Sequence, residues 1–255
     1  MELRWFIVCR RPCRLRALAK ELMSVIVLHL GDSIAYGECA SRPTRAYPQV
    51  AARALVADGR SPLETRVVAQ PGWTSADLAA AVEADKTALA DADAAAVLIG
   101  GDDLVQAAVT SLSEGHLHRQ LRAAYRRYAR DLAFIAAACR RRGVPLVFCT
   151  LYNPFPHSPL AASAIQGLND VMTQVAIRLG APVAPVDAWF AGREPLLIAG
   201  YRTGRLEDVL ACGRAPVHPN DLGHQLIGLG LAAYISPLAA LRHRLGSTAV
   251  WHSRR

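Results

Sequence analysis

Short apolar runs alternate with helical patterns along most of the chain. The runs are Val25–Leu30, Thr65–Ala69, Ala94–Ile99, Pro145–Thr150 and Val183–Val186. Each is short and rich in valine, leucine, isoleucine or alanine, which is typical of a strand buried on both faces. Strands that alternate with helices form parallel sheets with helices on both sides. The pattern therefore predicts an α/β fold of three layers, α/β/α, around a parallel sheet of about five strands.

Helical periodicity fills the segments between these runs. Thr74 and Ser75 are suitable caps for an alanine-rich helix that begins near Ala76. A long amphipathic helix has apolar residues at three- and four-residue steps, namely Leu117, Leu121, Tyr125, Tyr128, Leu132, Ile135 and Cys139. Ser163–Leu179 predicts another helix, and Pro219 suits the first turn of a closing one. Right-handed crossovers through these helices place all strand carboxyl ends at one edge, where open parallel sheets bind ligands.

The charge of the chain is concentrated at its two ends. The formal net charge is +8, but residues 1–22 carry six basic and two acidic residues, and residues 242–255 carry four arginines and no acid. The body, 23–241, has 19 residues of each sign, so it presents no basic face for nucleic acid. We expect one domain over 23–241 and a basic tail over 242–255. We expect residues 1–22 to be a disordered basic extension or a start-site artefact, because they lack the apolar core of a signal peptide.

Composition also argues against a membrane span, a metal site and a disulfide scaffold. The longest uncharged apolar run, Leu226–Leu241, has 16 residues with glycine and proline inside it, which is too short to cross a bilayer. The six cysteines form no CxxC pair, and the histidines show no metal-ligand spacing. No GxGxxG or Walker loop is present. The sequence predicts a cytoplasmic protein without metal or cofactor.

Residues suited to chemistry follow the predicted strands. Gly31-Asp32-Ser33 comes directly after the first strand, where a helix N-terminus favours negative charge on the Ser33 side chain. Alone, this tripeptide is better explained by a serine that caps a helix after a tight turn. Three further segments occupy corresponding places: Gln70–Thr74 with Gly72 at its centre, Gly100–Leu104, and Val217–His224 near the end.

Together these four segments resemble the conserved blocks of the GDSL/SGNH hydrolases. Gly31–Gly37 reads GDSxxYG, the loop Leu151–Phe155 also matches, and the resemblance extends over Val25–Tyr234. It implies the SGNH hydrolase fold, with a flavodoxin-like sheet. It further implies Ser33 as nucleophile, His218 as base, and the N–H groups of Ser33 and Gly72 as oxyanion-hole donors.

Two positions depart from the family pattern. Asp102 stands where the family has an asparagine that donates to the oxyanion, and an ionised carboxylate cannot donate. Loss of one such donor costs roughly 10²- to 10³-fold in rate. Ala215 stands where the DxxH motif has the aspartate that orients the histidine, a loss on the order of 10⁴-fold in well-studied triads. Asp32 and Asp103 are neighbouring residues that would support the site.

Three arrangements would compensate for these departures. The carbonyl of Ala215 could accept the Nδ1–H of His218, which leaves a Ser/His dyad. Asp102 could instead support a protonated His218. A third source is a nearby carboxylate, with Glu207, Asp208 and Asp221 as the candidates.

The leading hypothesis is a serine esterase or acylhydrolase that cleaves a small carboxylic ester, an acetylated sugar or a lysolipid through an acyl-serine. The alternative is a ligand-binding pseudoenzyme with the same fold. A nucleotide-binding flavodoxin-like domain is a third possibility, but the chain lacks the glycine-rich loop. Four aromatic residues would either line an acyl pocket or pack in the core: Tyr36, Trp73, Tyr152 and Phe155.

Overall fold

The computed structural model describes residues 25–57, 63–85, 87–211 and 215–252, with side chains as far as residue 240. The basic extension expected over 1–22 lies outside the described residues, as do residues 253–255 of the tail. The backbone of 242–252 continues the last helix.

The described residues form a sheet of five parallel strands, which confirms the predicted fold class. The strands are β1 (Val25–Gly31), β2 (Leu63–Ala69), β3 (Ala94–Leu98), β4 (Leu146–Cys149) and β5 (Val183–Ala184). Their order is β2-β1-β3-β4-β5, the flavodoxin-like order. Gly31 pairs with both Ala69 and Leu98, so the three strands β1, β2 and β3 end side by side.

Helices cover both faces of this sheet. They are α1 (Ser33–Tyr36), α2 (Tyr47–Ala57), α3 (Ser75–Ala84), α4 (Gly101–Glu114), α5 (Leu117–Arg141), α6 (Pro159–Leu179), α7 (Val186–Phe190), α8 (Glu194–Leu197), α9 (Asp208–Ala211) and α10 (Asp221–His252), with a 3₁₀ turn at Pro43–Arg45. Helices α2 and α10 pack together in one layer, whereas α3, α4 and α6 pack on α5 in the other.

The structure contains helices that were not predicted, and it moves the start of another. The helices that were not predicted are α2, α4 and the short α7, α8 and α9. Helix α4 was missed because its apolar residues Val105 and Val109 are exposed. It is separated from α5 by His116, which has a left-handed backbone. Helix α6 begins at Pro159 rather than Ser163, because the Ser158 hydroxyl caps it.

Helix α10 combines an apolar composition with deep burial. Over Asp221–Ala240 it is, among the described residues, the one helix long and apolar enough to cross a membrane. Its residues Ile227, Leu231 and Ile235 are completely buried in the core cluster that includes the sheet. Packing inside the domain therefore accounts for its composition.

A buried histidine lies in the middle of β1. His29 has no exposed surface, and neither of its ring nitrogens has a hydrogen-bond partner among the described residues. Its ring meets the ring of Tyr47 edge to face, with centroids 5.3 Å apart. Burial lowers the pKa of His29 to about 3, so the ring is neutral in the folded protein.

Replacing His29 with leucine should make the stability less sensitive to acid. Because the folded pKa is depressed, the stability that a neutral His29 maintains above pH 6.5 is lost as the pH falls from 6.5 towards 3. From pH 8 to pH 5 this amounts to about 2 kcal/mol, since only the unfolded chain takes up the proton. Urea unfolding of His29→Leu at both pH values should show a smaller difference than the wild type. An exposed-histidine control, His118→Gln, should retain the wild-type difference, and equal differences in all three proteins would refute the prediction.

Candidate active site

The end of β1 places Ser33 at the carboxyl edge of the sheet. A Cβ atom at Gly31 would lie 2.3 Å from the carbonyl oxygen of Leu98, so only glycine allows β1 and β3 to approach this closely. Asp32 then caps the one-turn helix α1, since its Oδ1 accepts a hydrogen bond from Ile34 N at 2.9 Å. Ser33 is thus the first residue of α1, with 9% of its surface exposed.

The loop that carries His218 is fastened to its neighbours through the backbone. The N–H of Ala199 donates to the carbonyl of His218 at 2.9 Å. The hydroxyl of Tyr152 donates to the carbonyl of Val217 at 2.5 Å. These bonds hold the backbone on both sides of the imidazole.

The closing helix begins at Asp221, two residues after Pro219. Pro219 forms an isolated antiparallel bridge with Ile198 and precedes the helix, so its predicted place in the first turn is wrong. Asn220 is the capping residue, because its Oδ1 accepts a hydrogen bond from Leu222 N at 2.9 Å. An asparagine side chain can supply that acceptor, and a proline cannot.

The two loops bring Ser33 and His218 into contact. The Nε2 atom of His218 lies 2.9 Å from the Oγ atom of Ser33, although the residues are 185 positions apart. In this geometry the serine hydroxyl can donate to the imidazole, and the imidazole can take up its proton. The pair has the geometry that nucleophilic catalysis by serine requires.

The Gln70–Thr74 loop begins beside the Ser33 turn, because Ala69 pairs with Gly31 at the strand ends. Trp73 N donates to the carbonyl of Gln70 at 3.2 Å, which closes a turn around Gly72. Gly72 has φ +83°, and no atom lies within 4 Å of a Cβ built there. The left-handed backbone favours glycine, and the open surroundings leave space beside the peptide.

Asp102 and Asp103 lie in the first turn of α4, which follows the end of β3. Asp102 is partly exposed, and burial, followed by the charge of Asp77, raises its pKa. Asp103 points inward and is buried. Burial also raises the pKa of Asp32 to about 7, with smaller contributions from Asp102 and Asp103. The carboxyl groups of Asp32, Asp102 and Asp103 therefore lie close enough for their charges to interact.

The carboxylates named as helpers for His218 are placed elsewhere or exposed. Asp221 accepts hydrogen bonds from the N–H and hydroxyl of Ser41 at 2.8 and 2.7 Å. Asp208 similarly accepts from the N–H and hydroxyl of Thr203 at 2.9 and 2.8 Å. Glu207 is exposed. The carboxylates of Asp221 and Asp208 are therefore engaged in hydrogen bonds that hold Ser41 and Thr203.

The carbonyl oxygen of Ala215 was the backbone group expected to support His218. The carbonyl oxygen of Ala215 accepts a hydrogen bond from Val217 N at 2.9 Å. The described residues show no hydrogen bond from His218 Nδ1 to this oxygen, so the expected support by Ala215 is absent from the structure.

The aromatic residues near the strand ends divide into two kinds. Tyr152 and Phe155 are buried, and Tyr152 stacks on Phe190 with ring centroids 4.1 Å apart. Tyr36 is 60% exposed, and Trp73 is partly exposed. The first two therefore pack in the core, and the second two are free to meet a ligand.

Two buried polar residues that support the site were not predicted from the sequence. Ser75 and Asp131 are buried with Asp103 in one polar cluster. Asp131 lies three residues after Tyr128, on the apolar side of α5, and an acid on that side was the available signal. Among the described residues, no group of three or more His, Cys, Asp or Glu side chains is arranged to hold a metal ion.

Comparison with known proteins gives both sequence and structural similarity. The model of the GDSL-like Lipase/Acylhydrolase family matches residues 29–226. The lipase Lip_vut3 from a goat rumen metagenome superimposes with a TM-score of 0.69 at 22% identity, covering 83% of this chain and 98% of that one.

Two esterase structures show the same fold. A variant of an acetyl-xylooligosaccharide esterase from Geobacillus has a TM-score of 0.62 at 19% identity, covering 84% and 96% of the two chains. AlinE4, an SGNH-hydrolase family esterase, has a TM-score of 0.53 at 21% identity, covering 69% and 83%. A search of curated protein sequences finds no match. Because the family model covers most of the domain, the chain belongs to the GDSL-like lipase/acylhydrolase family.

Proposed function

We propose that the protein is a serine esterase that cleaves a small carboxylic ester through an acyl-serine intermediate. The observation that carries this proposal is the 2.9 Å contact between Ser33 Oγ and His218 Nε2 at the carboxyl edge of the sheet. Membership of a lipase and acylhydrolase family supports the same class of reaction. Acetylated sugars and lysolipids are the substrates that we consider alongside simple esters.

The proposed reaction has two stages. Ser33 Oγ attacks the ester carbonyl carbon while its proton passes to His218 Nε2, and the N–H groups of Ser33 and Gly72 donate to the oxyanion. The C–O bond to the alcohol then breaks, and the alcohol leaves with the proton from His218. Water next attacks the acyl group with His218 as base, which releases the acid and restores Ser33.

His218 would act in this mechanism without the usual aspartate. The backbone bonds to the carbonyls of His218 and Val217 fix the loop, which supports a Ser/His dyad. Such a dyad positions the imidazole but supplies no neighbouring negative charge to stabilise its protonated form. We therefore expect slower catalysis than that of a full triad.

The proposed activity depends on the protonation state of the Asp102 carboxyl group. When ionised, its carboxylate would repel the oxyanion, and when protonated it would donate to it as the family asparagine does. Burial and the charge of Asp77 favour the protonated form by raising the pKa of Asp102. The wild-type enzyme should therefore perform relatively better at acidic pH than a variant with asparagine at this position.

The first prediction from the esterase proposal concerns the nucleophile and the base. Hydrolysis of p-nitrophenyl acetate and butyrate from pH 6 to 9 should fall at least about 10³-fold in Ser33→Ala and His218→Ala, because each removes a reacting group. A fluorophosphonate should label the wild type but not Ser33→Ala. The control variant Ser113→Ala removes an exposed serine on α4 and should be labelled like the wild type. Wild-type rates equal to those of Ser33→Ala at every pH would overturn the proposal and favour the ligand-binding pseudoenzyme.

The second prediction concerns Asp102→Asn. The amide restores a neutral donor, so kcat should rise at pH 8 by about 10²-fold, the value of one oxyanion donor. The gain should shrink towards pH 5, where Asp102 of the wild type is increasingly protonated. Steady-state kinetics of both proteins across this range test the point. If Asp102 instead supports His218, both Asp102→Asn and Asp102→Ala will lose activity.

A further inference from the structure

Three buried polar side chains meet behind the Gly72 loop. Ser75 is the first residue of α3, Asp103 lies in the first turn of α4, and Asp131 lies in the middle of α5. Their exposed fractions are 0%, 5% and 6%. A buried polar cluster of this kind is stable only if each member has its hydrogen-bond partners.

The distances show how the three are joined. Ser75 N donates to Asp103 Oδ2 at 2.8 Å. Ser75 Oγ lies 2.7 Å from Asp103 Oδ1 and 3.1 Å from Asp131 Oδ2. On its far side, Asp131 Oδ1 accepts a hydrogen bond from Arg130 Nε at 3.1 Å.

Counting hydrogens identifies the protonation state that satisfies this arrangement. The hydroxyl of Ser75 has one hydrogen, but it faces two carboxyl groups. If both were ionised, one of the two contacts would hold no hydrogen. One additional proton on either carboxyl group completes the set. Because Arg130 Nε donates to Asp131 Oδ1, the negative charge is favoured on Asp131 and the proton on Asp103. Asp103 Oδ1–H then donates to Ser75 Oγ, and Ser75 Oγ–H donates to Asp131.

The surrounding charges favour the same state. Asp102 on α4, Asp32 at the end of β1, Asp77 on α3 and Asp131 on α5 are the acidic neighbours, with Arg130 as the basic one. The hydroxyl of Tyr128 on α5 is close enough for the charge of Asp103 to affect it. Burial is the largest cause that raises the pKa of Asp103; the charges of Asp131 and Asp102 act in the same direction, and the hydrogen bonds from Ser75 oppose them. A second negative charge here would be costly.

The cluster connects the two segments that face the proposed oxyanion. Ser75 is three residues after Gly72, and Thr74 between them caps α3 in a capping box with Asp77. Asp103 directly follows Asp102. Any movement of Ser75 relative to Asp103 therefore moves the Gly72 N–H relative to the first turn of α4.

We propose that Asp103 is a positioning residue, whose neutral carboxyl group, hydrogen-bonded to Ser75, fixes the Gly72 loop against α4. This inference rests on the proposed esterase function for its catalytic consequence. A displacement of about 1 Å in such a support can reduce a rate by about 10²-fold. Ionisation of Asp103 as the pH rises removes the shared proton and loosens the loop.

Asparagine and alanine variants separate this role from simple stabilisation. Asp103→Asn reproduces the neutral form, because its oxygen accepts from Ser75 N and its amide donates to Ser75 Oγ. It should retain kcat within about threefold and lose the decline in kcat that ionisation of Asp103 causes in the wild type as the pH rises. Asp103→Ala should lower kcat by about 10- to 100-fold with little change in KM. Fluorophosphonate labelling of Ser33 should persist in both variants.

A matched control lies at the opposite end of the sheet. Asp93 accepts a hydrogen bond from Ile26 N at 2.8 Å, so Asp93→Ala also removes a carboxylate that holds backbone. It should lower the melting temperature without changing kcat. If Asp103→Ala behaves in the same way, or if Asp103→Asn is as impaired as Asp103→Ala, the proposal is wrong.

Hydrogen exchange tests the inference without any substrate. Amide exchange in the peptide that covers residues 70–75 should be faster in Asp103→Ala than in the wild type, and unchanged in Asp103→Asn. This result would stand even if the wild type hydrolysed no ester, so failure of the esterase proposal is distinguishable. If Asp103→Ala does not fold, Ser75→Ala removes the hydroxyl alone and should accelerate exchange in the same peptide. Wild-type exchange in that variant would overturn the proposal.

Discussion

The close approach of β1 and β3 at Gly31 is the constraint on which the rest of the site depends. It allows β1, β2 and β3 to end side by side, so the chain leaves the sheet three times within a small area. Ser33, Gly72 and Asp102 each follow one of these exits. A side chain at Gly31 would force β1 and β3 apart and move the serine away from the other two loops.

Apolar packing and polar contacts have separate tasks in this structure. The alanines, leucines and valines of β1 and β3 are buried and hold the layers together. The loops at the carboxyl edge are held by side chains that bind backbone. Examples are Asp32 on Ile34, Asp208 on Thr203 and Asp221 on Ser41. Such bonds are directional, so they set the position of a loop more narrowly than apolar contacts do.

Local sequence patterns predicted much of the fold, but they did not predict the contacts that support the site. All five predicted strands are present, with boundaries that differ by at most two residues, because a short buried run has a clear composition. Helix α4 was missed since Val105 and Val109 face solvent. Ser33 and His218 were paired by resemblance to a family. The partnership of Ser75 with Asp131 has no sequence signal, because 56 residues separate them and only packing decides which carboxyl a hydroxyl meets.

The contact between Ser33 and His218 also has a consequence for how the protein is made. It joins a residue just after the first strand to the last loop before α10. During synthesis from the N-terminus, the serine leaves the ribosome long before its partner, and closing so large a loop is slow. A nascent or truncated chain that lacks the final segment therefore carries Ser33 without His218. Any reactivity of Ser33 that depends on His218 would report that the chain has been made at least as far as His218 and has folded.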